Sequence, residues 1–156
     1  MSDAHLIGLI SDTHGLVRAS VFDALAGVEL ILHAGDVGDG VLEELEAIAP
    51  VRAVYGNTDP IDPRLTPSIE MEIGGVSIHV SHGHELGRPT PEKLLSAYPS
   101  HVLVYGHTHR QLVTQADGRL VVNPGAAGQR RFDLAPSCAR LTIADGAADV
   151  VLVDLA

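Results

Sequence analysis

Seven side chains of the sequence are of the kinds that bind transition-metal ions, and they fall in five short segments. The segments are Asp12-Thr13-His14, Gly35-Asp36, Gly56-Asn57, His82 and Gly106-His107-Thr108-His109. Carboxylate, amide and imidazole ligands together suit Mn, Fe, Co, Ni or Zn, whereas calcium takes oxygen ligands. Seven ligands are too many for one such ion but suit two ions ~3.5–4 Å apart that share a carboxylate. The pattern predicts a two-metal site, whose residual positive charge suits a bound phosphate.

The position of these segments strengthens the prediction, since any one of the histidines alone would more readily be explained as a surface or hydrogen-bonded residue. Each segment directly follows an apolar run that is typical of a buried strand. The five runs span residues 6–10, 30–32, 51–55, 76–80 and 102–105. Functional groups of an open α/β sheet collect beyond the carboxyl ends of its strands. We therefore expect the five segments to meet at one edge of the fold.

The remaining pattern predicts the elements that hold these strands. Helix-like segments span residues 18–25 and 41–48, and a third helix is expected over 90–98 with Thr90 as its N-cap and Pro91 in its first turn. Gly74-Gly75, Asp117-Gly118 and Asp145-Gly146 are typical hairpin turns. The alternation before and after Gly74 predicts a hairpin with one buried face. The sequence thus predicts one α/β domain over residues 1–156, with two packed sheets and helices outside.

Charge and composition limit the partners that we expect. The chain of 156 residues has a formal charge of −10, which disfavours broad binding to nucleic acid. No apolar run approaches the ~20 residues of a membrane helix, and the N-terminus does not resemble a secretory signal. The single cysteine, Cys138, agrees with a reducing compartment and is expected in the core. A cytoplasmic protein without a membrane partner is the expectation.

The five segments resemble, in order, the motifs of the calcineurin-like metallophosphoesterase superfamily, and the short chain is most similar to its small bacterial and archaeal phosphodiesterases. The matching motifs are Asp12-x-His14, Gly35-Asp36-x-x-Asp39, Gly56-Asn57-x-Asp59, His82 and Gly106-His107-x-His109. The resemblance implies a two-sheet αββα sandwich. It implies a first metal held by Asp12, His14, Asp36 and His109, and a second held by Asp36, Asn57, His82 and His107. Manganese is the expected ion, with Fe, Ni, Co or Zn as alternatives.

The resemblance also implies roles for neighbouring residues. Asp39 and Asp59 occupy acidic positions that support the metal ligands in the family, although a plain loop cap is an equal alternative. His84 is expected to be a supporting or surface residue, with contact to the substrate as the alternative. Many members have a histidine at the position of Thr58, where it helps to protonate the leaving group; threonine is no acid near neutral pH. Esters with good leaving groups should therefore be favoured.

The implied activity is hydrolysis of small phosphoesters, with diesters expected rather than monoesters, by in-line attack of a hydroxide that bridges the two ions. One alternative is a non-catalytic scaffold, as in the retromer subunit that shares this fold. Another is a DNA nuclease of the same superfamily, which the acidic charge and the absence of Trp disfavour. The sequence leaves the substrate open, and a homodimer or higher homo-oligomer is possible.

Overall fold

The computed structural model describes residues 4–131 and 133–156, and that part of the chain contains two sheets, three α-helices and one 3₁₀ helix (His84–Leu86). Met1 to Asp3, on which the expectation of no secretory signal partly rests, and Phe132 lie outside the described residues. The helices are α1 (Ala19–Ala24), α2 (Val41–Glu46) and α3 (Pro91–Ala97). None of the described helices has the length and hydropathy to cross a membrane.

The first sheet contains six strands in the spatial order β11-β10-β1-β2-β3-β4. Their bounds are β1 His5–Ile10, β2 Leu30–His33, β3 Val51–Val54, β4 Leu65–Thr66, β10 Ser137–Ala144 and β11 Ala147–Asp154. Strands β1 to β4 run parallel to one another, and β10 pairs antiparallel with β1. The three parallel strands that carry predicted ligands therefore end at the same edge.

The second sheet contains five strands in the order β5-β6-β7-β9-β8. Their bounds are β5 Ser68–Ile73, β6 Val76–Ser81, β7 Val102–Val104, β8 Leu112–Ala116 and β9 Arg119–Asn123. Strands β6, β7 and β9 are parallel, so the carboxyl ends of β6 and β7 also point to one edge. Both sheets are mixed, which confirms the predicted α/β class.

The pattern of buried residues shows that the fold has four layers. The inner faces of the sheets share one apolar core that includes Ile7, Leu32, Ile78 and Leu141. Helices α1 and α2 cover the outer face of the first sheet, and α3 covers the outer face of the second. This arrangement is the αββα sandwich that the resemblance implied. Burial of these fully enclosed aliphatic side chains supplies the main stabilising term, at roughly 25 cal/mol per Å² of apolar surface.

Local signals predicted most elements to within one or two residues, and all three hairpin turns have the expected left-handed backbone. Both residues of Gly74-Gly75, Asp117-Gly118 and Asp145-Gly146 have positive φ, as the two-residue turns that match strand twist require. Thr90 Oγ1 accepts a hydrogen bond from the amide of Lys93, which confirms the predicted N-cap of α3.

Two expectations need correction. The prediction that the hairpin β5–β6 has one buried face is wrong for β6, where His79 and Ser81 are buried as well. The reason is that the Tyr98 ring, at the end of α3, stacks on His79 with centroids 3.7 Å apart and covers that face. The short edge strand β4 was not predicted, because it has two residues and no periodicity of its own.

Candidate metal centre

The predicted ligand segments meet between the two sheets, where the carboxyl ends of β1, β2, β3, β6 and β7 come together. Backbone hydrogen bonds join the loops directly. The amide of Asp12 donates to the carbonyl of Gly35 at 2.9 Å, and the amide of Gly106 donates to that of His82 at 3.0 Å. The spacing is so close that a Cβ at Gly106 would overlap both Ser11 Oγ and Asp12 Oδ2. Glycine at this position is therefore required by the site and not by the turn alone.

Asp12 lies at the centre of the cluster and is almost fully buried. Its Oδ2 accepts hydrogen bonds from Ser11 Oγ at 2.6 Å and from the backbone amide of His107 at 3.1 Å. Its Oδ1 faces the imidazole Nε2 atoms of His82 at 3.1 Å, His109 at 3.4 Å and His14 at 3.9 Å. One carboxylate oxygen is thus anchored to the loops, and the other faces the imidazoles in the position of a metal ligand.

Asp36 approaches the same histidines from the second loop. Its Oδ2 lies 3.3 Å from His82 Nε2 and 3.7 Å from His14 Nε2. Its Oδ1 accepts hydrogen bonds from Thr58, from the backbone amide at 3.0 Å and from Oγ1 at 2.8 Å. A Cβ at Gly56 would overlap Asp36 Oδ1, so the Asn57 loop can approach only because it begins with glycine.

Two groups of ligand atoms lie close enough to hold a cation. One group contains Asp12, His14 and His109, and the other contains Asp12, Asp36 and His82; within each, the ligand atoms are within 4.8 Å of one another. The first group matches three of the four residues that were expected at the first metal. Asp12 belongs to both groups in this arrangement, whereas the sequence pattern implied that Asp36 is shared.

Asn57 and His107 stand apart from these groups. The His107 ring packs against the His82 ring with centroids 5.1 Å apart, and Asn57 is an exposed residue of the loop after β3. The structure thus brings Asp12, His14, Asp36, His82 and His109 into contact distance and leaves Asn57 and His107 beside them. The assignment of individual ligands to two ions stays a prediction.

The backbone at the predicted ligands is unusual. Seven non-glycine residues have positive φ among those described, and five of them are Asp12, His14, Asp36, His107 and His109. The other two are the aspartates of the hairpin turns. Left-handed backbone at a non-glycine residue costs on the order of 1–2 kcal/mol, and such conformations concentrate at functional sites. This free-energy cost therefore falls on residues whose side chains converge on the candidate site.

The two acidic residues of the motifs, Asp39 and Asp59, lie in different environments. The Asp59 carboxylate accepts hydrogen bonds from three backbone amides, those of Val37 at 3.0 Å, Gly38 at 3.2 Å and Gly56 at 2.9 Å. It therefore caps two loops and joins the Asp36 loop to the Asn57 loop. Asp39 is exposed, and its carboxylate accepts no hydrogen bond from any described residue.

Several supporting residues were not predicted from the sequence. Ser11 anchors Asp12. Buried Asn123 donates to the Gly106 carbonyl at 3.2 Å and to Thr108 Oγ1 at 3.0 Å, and so positions the loop of His107 and His109. The sequence signals were the serine before Asp12 and the Asn-Pro-Gly turn, but neither indicates the long-range partner.

His33 is a structural histidine at the end of β2. Its Nδ1 accepts from the amide of Gly35 at 3.0 Å, so Nε2 carries the hydrogen and donates to Thr13 Oγ1 at 2.9 Å; Thr13 in turn donates to the Val37 carbonyl at 2.7 Å. Complete burial lowers the pKa of His33 to about 4. The neutral ring therefore ties the first two loops together without adding charge.

His82 and the carboxylates set the charge of the cluster. Burial lowers the pKa of His82, but hydrogen bonds to Asp12 and Asp36 outweigh that effect and raise it to about 9. Burial raises the pKa of Asp36, yet His82 and the Thr58 hydrogen bonds lower it to about 2. For Asp12, bonds from His109 and His82 likewise overcome burial and hold the pKa below its usual range. The cluster favours ionised carboxylates facing a positive charge.

The cluster fits a bound cation by its own geometry. Among the described residues, His14 Nε2 is a buried polar atom with no hydrogen-bond partner, although it points at the carboxylates of Asp12 and Asp36. A buried nitrogen without a partner is costly and calls for an explanation. A divalent ion between these groups would supply the missing partner, and the mixed Asp and His ligands suit a transition metal.

Comparison with known proteins agrees with this geometry. The sequence profile of the calcineurin-like phosphoesterase superfamily domain matches residues 6–146. A protein named as a probable metallophosphoesterase of Methanothermobacter thermautotrophicus is 40% identical over 131 residues, which cover 78% of this chain and 76% of the relative. A phosphodiesterase of Methanocaldococcus jannaschii is 30% identical over 138 residues, covering 76% of this chain and 82% of the relative.

Solved structures share the fold at lower identity. Vacuolar protein sorting 29 from Cryptosporidium parvum superposes with a TM-score of 0.81 at 23% identity and covers 97% of each chain. At that level of identity the likeness concerns the fold alone.

Proposed function

The chain belongs to the calcineurin-like phosphoesterase superfamily, and we propose that it is a two-metal phosphoesterase that hydrolyses small phosphodiesters. The observation that carries the proposal is the convergence of two carboxylates and three imidazoles from separate loops, with His14 Nε2 buried and without a hydrogen-bond partner among the described residues. Five loops that supply metal-type ligands at one edge are difficult to explain by packing alone.

The proposed ligands are those that the motifs indicate. Asp12, His14, Asp36 and His109 would hold one ion, and Asp36, Asn57, His82 and His107 would hold the other. Manganese is the first choice, with Fe, Ni, Co and Zn as alternatives. When bound, the two ions would supply a hydroxide for in-line attack on phosphorus and neutralise the phosphate oxygens. Asp59 supports this arrangement by holding two ligand loops together.

A cavity beside the cluster offers room for the ester. It has a volume of about 250 Å³ and is lined by His107, Thr108, His109, Arg110, Arg131 and Leu134. The guanidinium groups of Arg110 and Arg131 form no ion pair with any described residue. In a chain of charge −10, two unpaired arginines next to a predicted metal centre favour an anionic ligand.

Preference for diesters rests on the phosphodiesterase among the relatives, whereas Thr58 bears on the leaving group. Thr58 Oγ1 donates to Asp36 and cannot act as a general acid near neutral pH. Without an acid at this position, the leaving group must depart as the anion or take its proton from solvent or another histidine, so an activated ester should react faster than an alkyl ester.

The alternative function is a non-catalytic scaffold, and the structural likeness to vacuolar protein sorting 29 is the observation that favours it. A scaffold has no need for the complete ligand set. The two functions therefore differ in whether loss of a ligand abolishes an activity.

The test is hydrolysis of bis(p-nitrophenyl) phosphate by protein loaded with Mn²⁺. We expect turnover by the wild type and none by Asp36→Asn or His82→Ala, with both variants folded by circular dichroism. His101→Ala is the matched control, since His101 is exposed and bonds Ser77 far from the predicted ligands. If hydrolysis survives both ligand variants, the proposed mechanism is wrong; if the wild type has no activity with any of the five metals, the scaffold alternative is favoured.

A further inference from the structure

Three aromatic rings form a row beside the candidate metal centre. The His107 and His84 ring centroids are 6.4 Å apart with planes inclined at 57°, and the His84 and Tyr55 centroids are 6.3 Å apart at 46°. His107 and His84 are half-buried, and Tyr55 is 37% exposed. The row therefore presents ring surface to solvent.

The middle ring of the row, His84, also contacts a predicted ligand. His84 Nδ1 lies 3.0 Å from His82 Nδ1, and the two rings are 5.1 Å apart. His84 follows His82 by two residues at the end of β6, so it belongs to the same loop. The row thus starts at the predicted metal centre and extends outward to Tyr55.

Tyr55 is held in place by its backbone. Its amide donates to the Thr66 carbonyl at 3.0 Å, and the next residue, Gly56, is packed so closely against Asp36 that no side chain fits there. The Tyr55 hydroxyl has no hydrogen-bond partner among residues 4–131 and 133–156. The backbone of Tyr55 is therefore fixed, while its hydroxyl makes no hydrogen bond to any described residue.

An exposed aromatic residue alone would need no explanation. Phe22 is also exposed, at 42%, but it lies on α1, which covers the opposite face of the first sheet. Tyr55 differs because it continues a row of rings that reaches the candidate centre. Flat ring surfaces of this kind attract planar aromatic groups, which prefer offset or tilted contacts at centroid separations of about 4.5–7 Å.

We propose that Tyr55 and His84 form a subsite for a planar aromatic substituent on the non-leaving side of the phosphodiester, such as the base of a single nucleoside. This inference rests on the proposed function and specifies its substrate class. The negative charge of the chain favours one nucleotide unit over a nucleic-acid strand. Tyr55 would act in binding and not in the chemical step.

The experiment compares two esters with the same leaving group. The p-nitrophenyl ester of thymidine 5′-monophosphate carries a base, whereas methyl p-nitrophenyl phosphate does not. With the Mn²⁺-loaded enzyme, Tyr55→Ala should raise KM for the thymidine ester by about fivefold or more, the lower end of base-on-aromatic stacking, and leave kcat within about twofold. KM for the methyl ester should not change. Tyr55→Phe should retain the wild-type KM, and Phe22→Ala is the matched control.

A binding measurement separates this inference from the proposed function. Titration calorimetry should show that Tyr55→Ala weakens binding of thymidine 5′-monophosphate by about fivefold or more and leaves binding of inorganic phosphate unchanged. Equal affinities of the wild type and Tyr55→Ala for the nucleotide would overturn the subsite. If neither ester is hydrolysed but the nucleotide affinity depends on Tyr55, the subsite holds and the proposed activity fails.

Discussion

Replacement of Asp59 by asparagine should loosen the candidate site without removing a ligand. The Asp59 carboxylate accepts from the amides of Val37, Gly38 and Gly56, and these bonds join the loop of Asp36 to the loop of Asn57. Asparagine has nearly the same shape but only one acceptor atom. Its amino group would face at least one backbone N–H, and the remaining bonds would lose their charge assistance.

The expected cost follows from the three hydrogen bonds. A bond to a charged group contributes about 1.5–3 kcal/mol, and Asp59 is only half-buried, so the lost bond and weakened partners together give about 2–3 kcal/mol. At about 2–4 °C per kcal/mol for a chain of this size, the melting temperature should fall by about 4–12 °C. Because Asp59 orients the ligand loops, the Mn²⁺ affinity should also fall by about 10–100-fold.

The assay measures both quantities, the melting temperature by calorimetry with EDTA present and the Mn²⁺ affinity by titration. Asp39→Asn is the matched control, since it makes the same charge change in the adjoining loop of Asp36, at a carboxylate that accepts no hydrogen bond from any described residue. It should change the melting temperature by less than about 2 °C, as is usual for a surface substitution. Equal effects of the two variants would refute the assignment of Asp59 as the residue that joins the loops.

Three further predictions concern charge and acid catalysis. Since the pKa of His82 is raised to about 9, its imidazolium should release one proton when Mn²⁺ binds at pH 7, in addition to any proton lost from metal-bound water. The calorimetric binding enthalpy should therefore vary with the ionisation enthalpy of the buffer, and no variation would contradict this. Because the pKa of His33 is lowered to about 4, the unfolded state binds the proton first as pH falls below 6.5. Between pH 7 and pH 5, His33 should therefore lower the free energy of unfolding by about 2 kcal/mol. Urea unfolding at both pH values should show this loss in the wild type and not in His33→Gln. Thr58→His should raise kcat for an alkyl ester more than for a p-nitrophenyl ester, whereas an equal change for both would argue against a missing acid.

Local features of the fold could be predicted because each depends on a few adjacent residues. The Gly-Gly and Asp-Gly turns need positive φ, and Thr90 caps α3 with its own side chain. Pairing between distant segments could not be predicted in this way. Strand β10 pairs with β1 across more than a hundred residues, and no local pattern indicates that partner.

The candidate site shows the same division. Motif spacing identified the side chains that converge, since ligand types at strand ends are visible in one segment at a time. The supporting contacts were missed, because Asn123 and Ser11 act on loops that are close only after folding. The three amide donors of Asp59 show that this residue caps loops, and its support of the metal ligands through that contact stays a prediction.

The central claim, that five loops assemble a two-metal centre, is tested most directly by anomalous diffraction at the manganese edge from crystals grown with Mn²⁺. The account predicts two peaks ~3.5–4 Å apart, with Asp36 between them and Asn57 and His107 drawn to the second. A single peak bound by Asp12, His14 and His109 alone, or no peak at these residues, would contradict it.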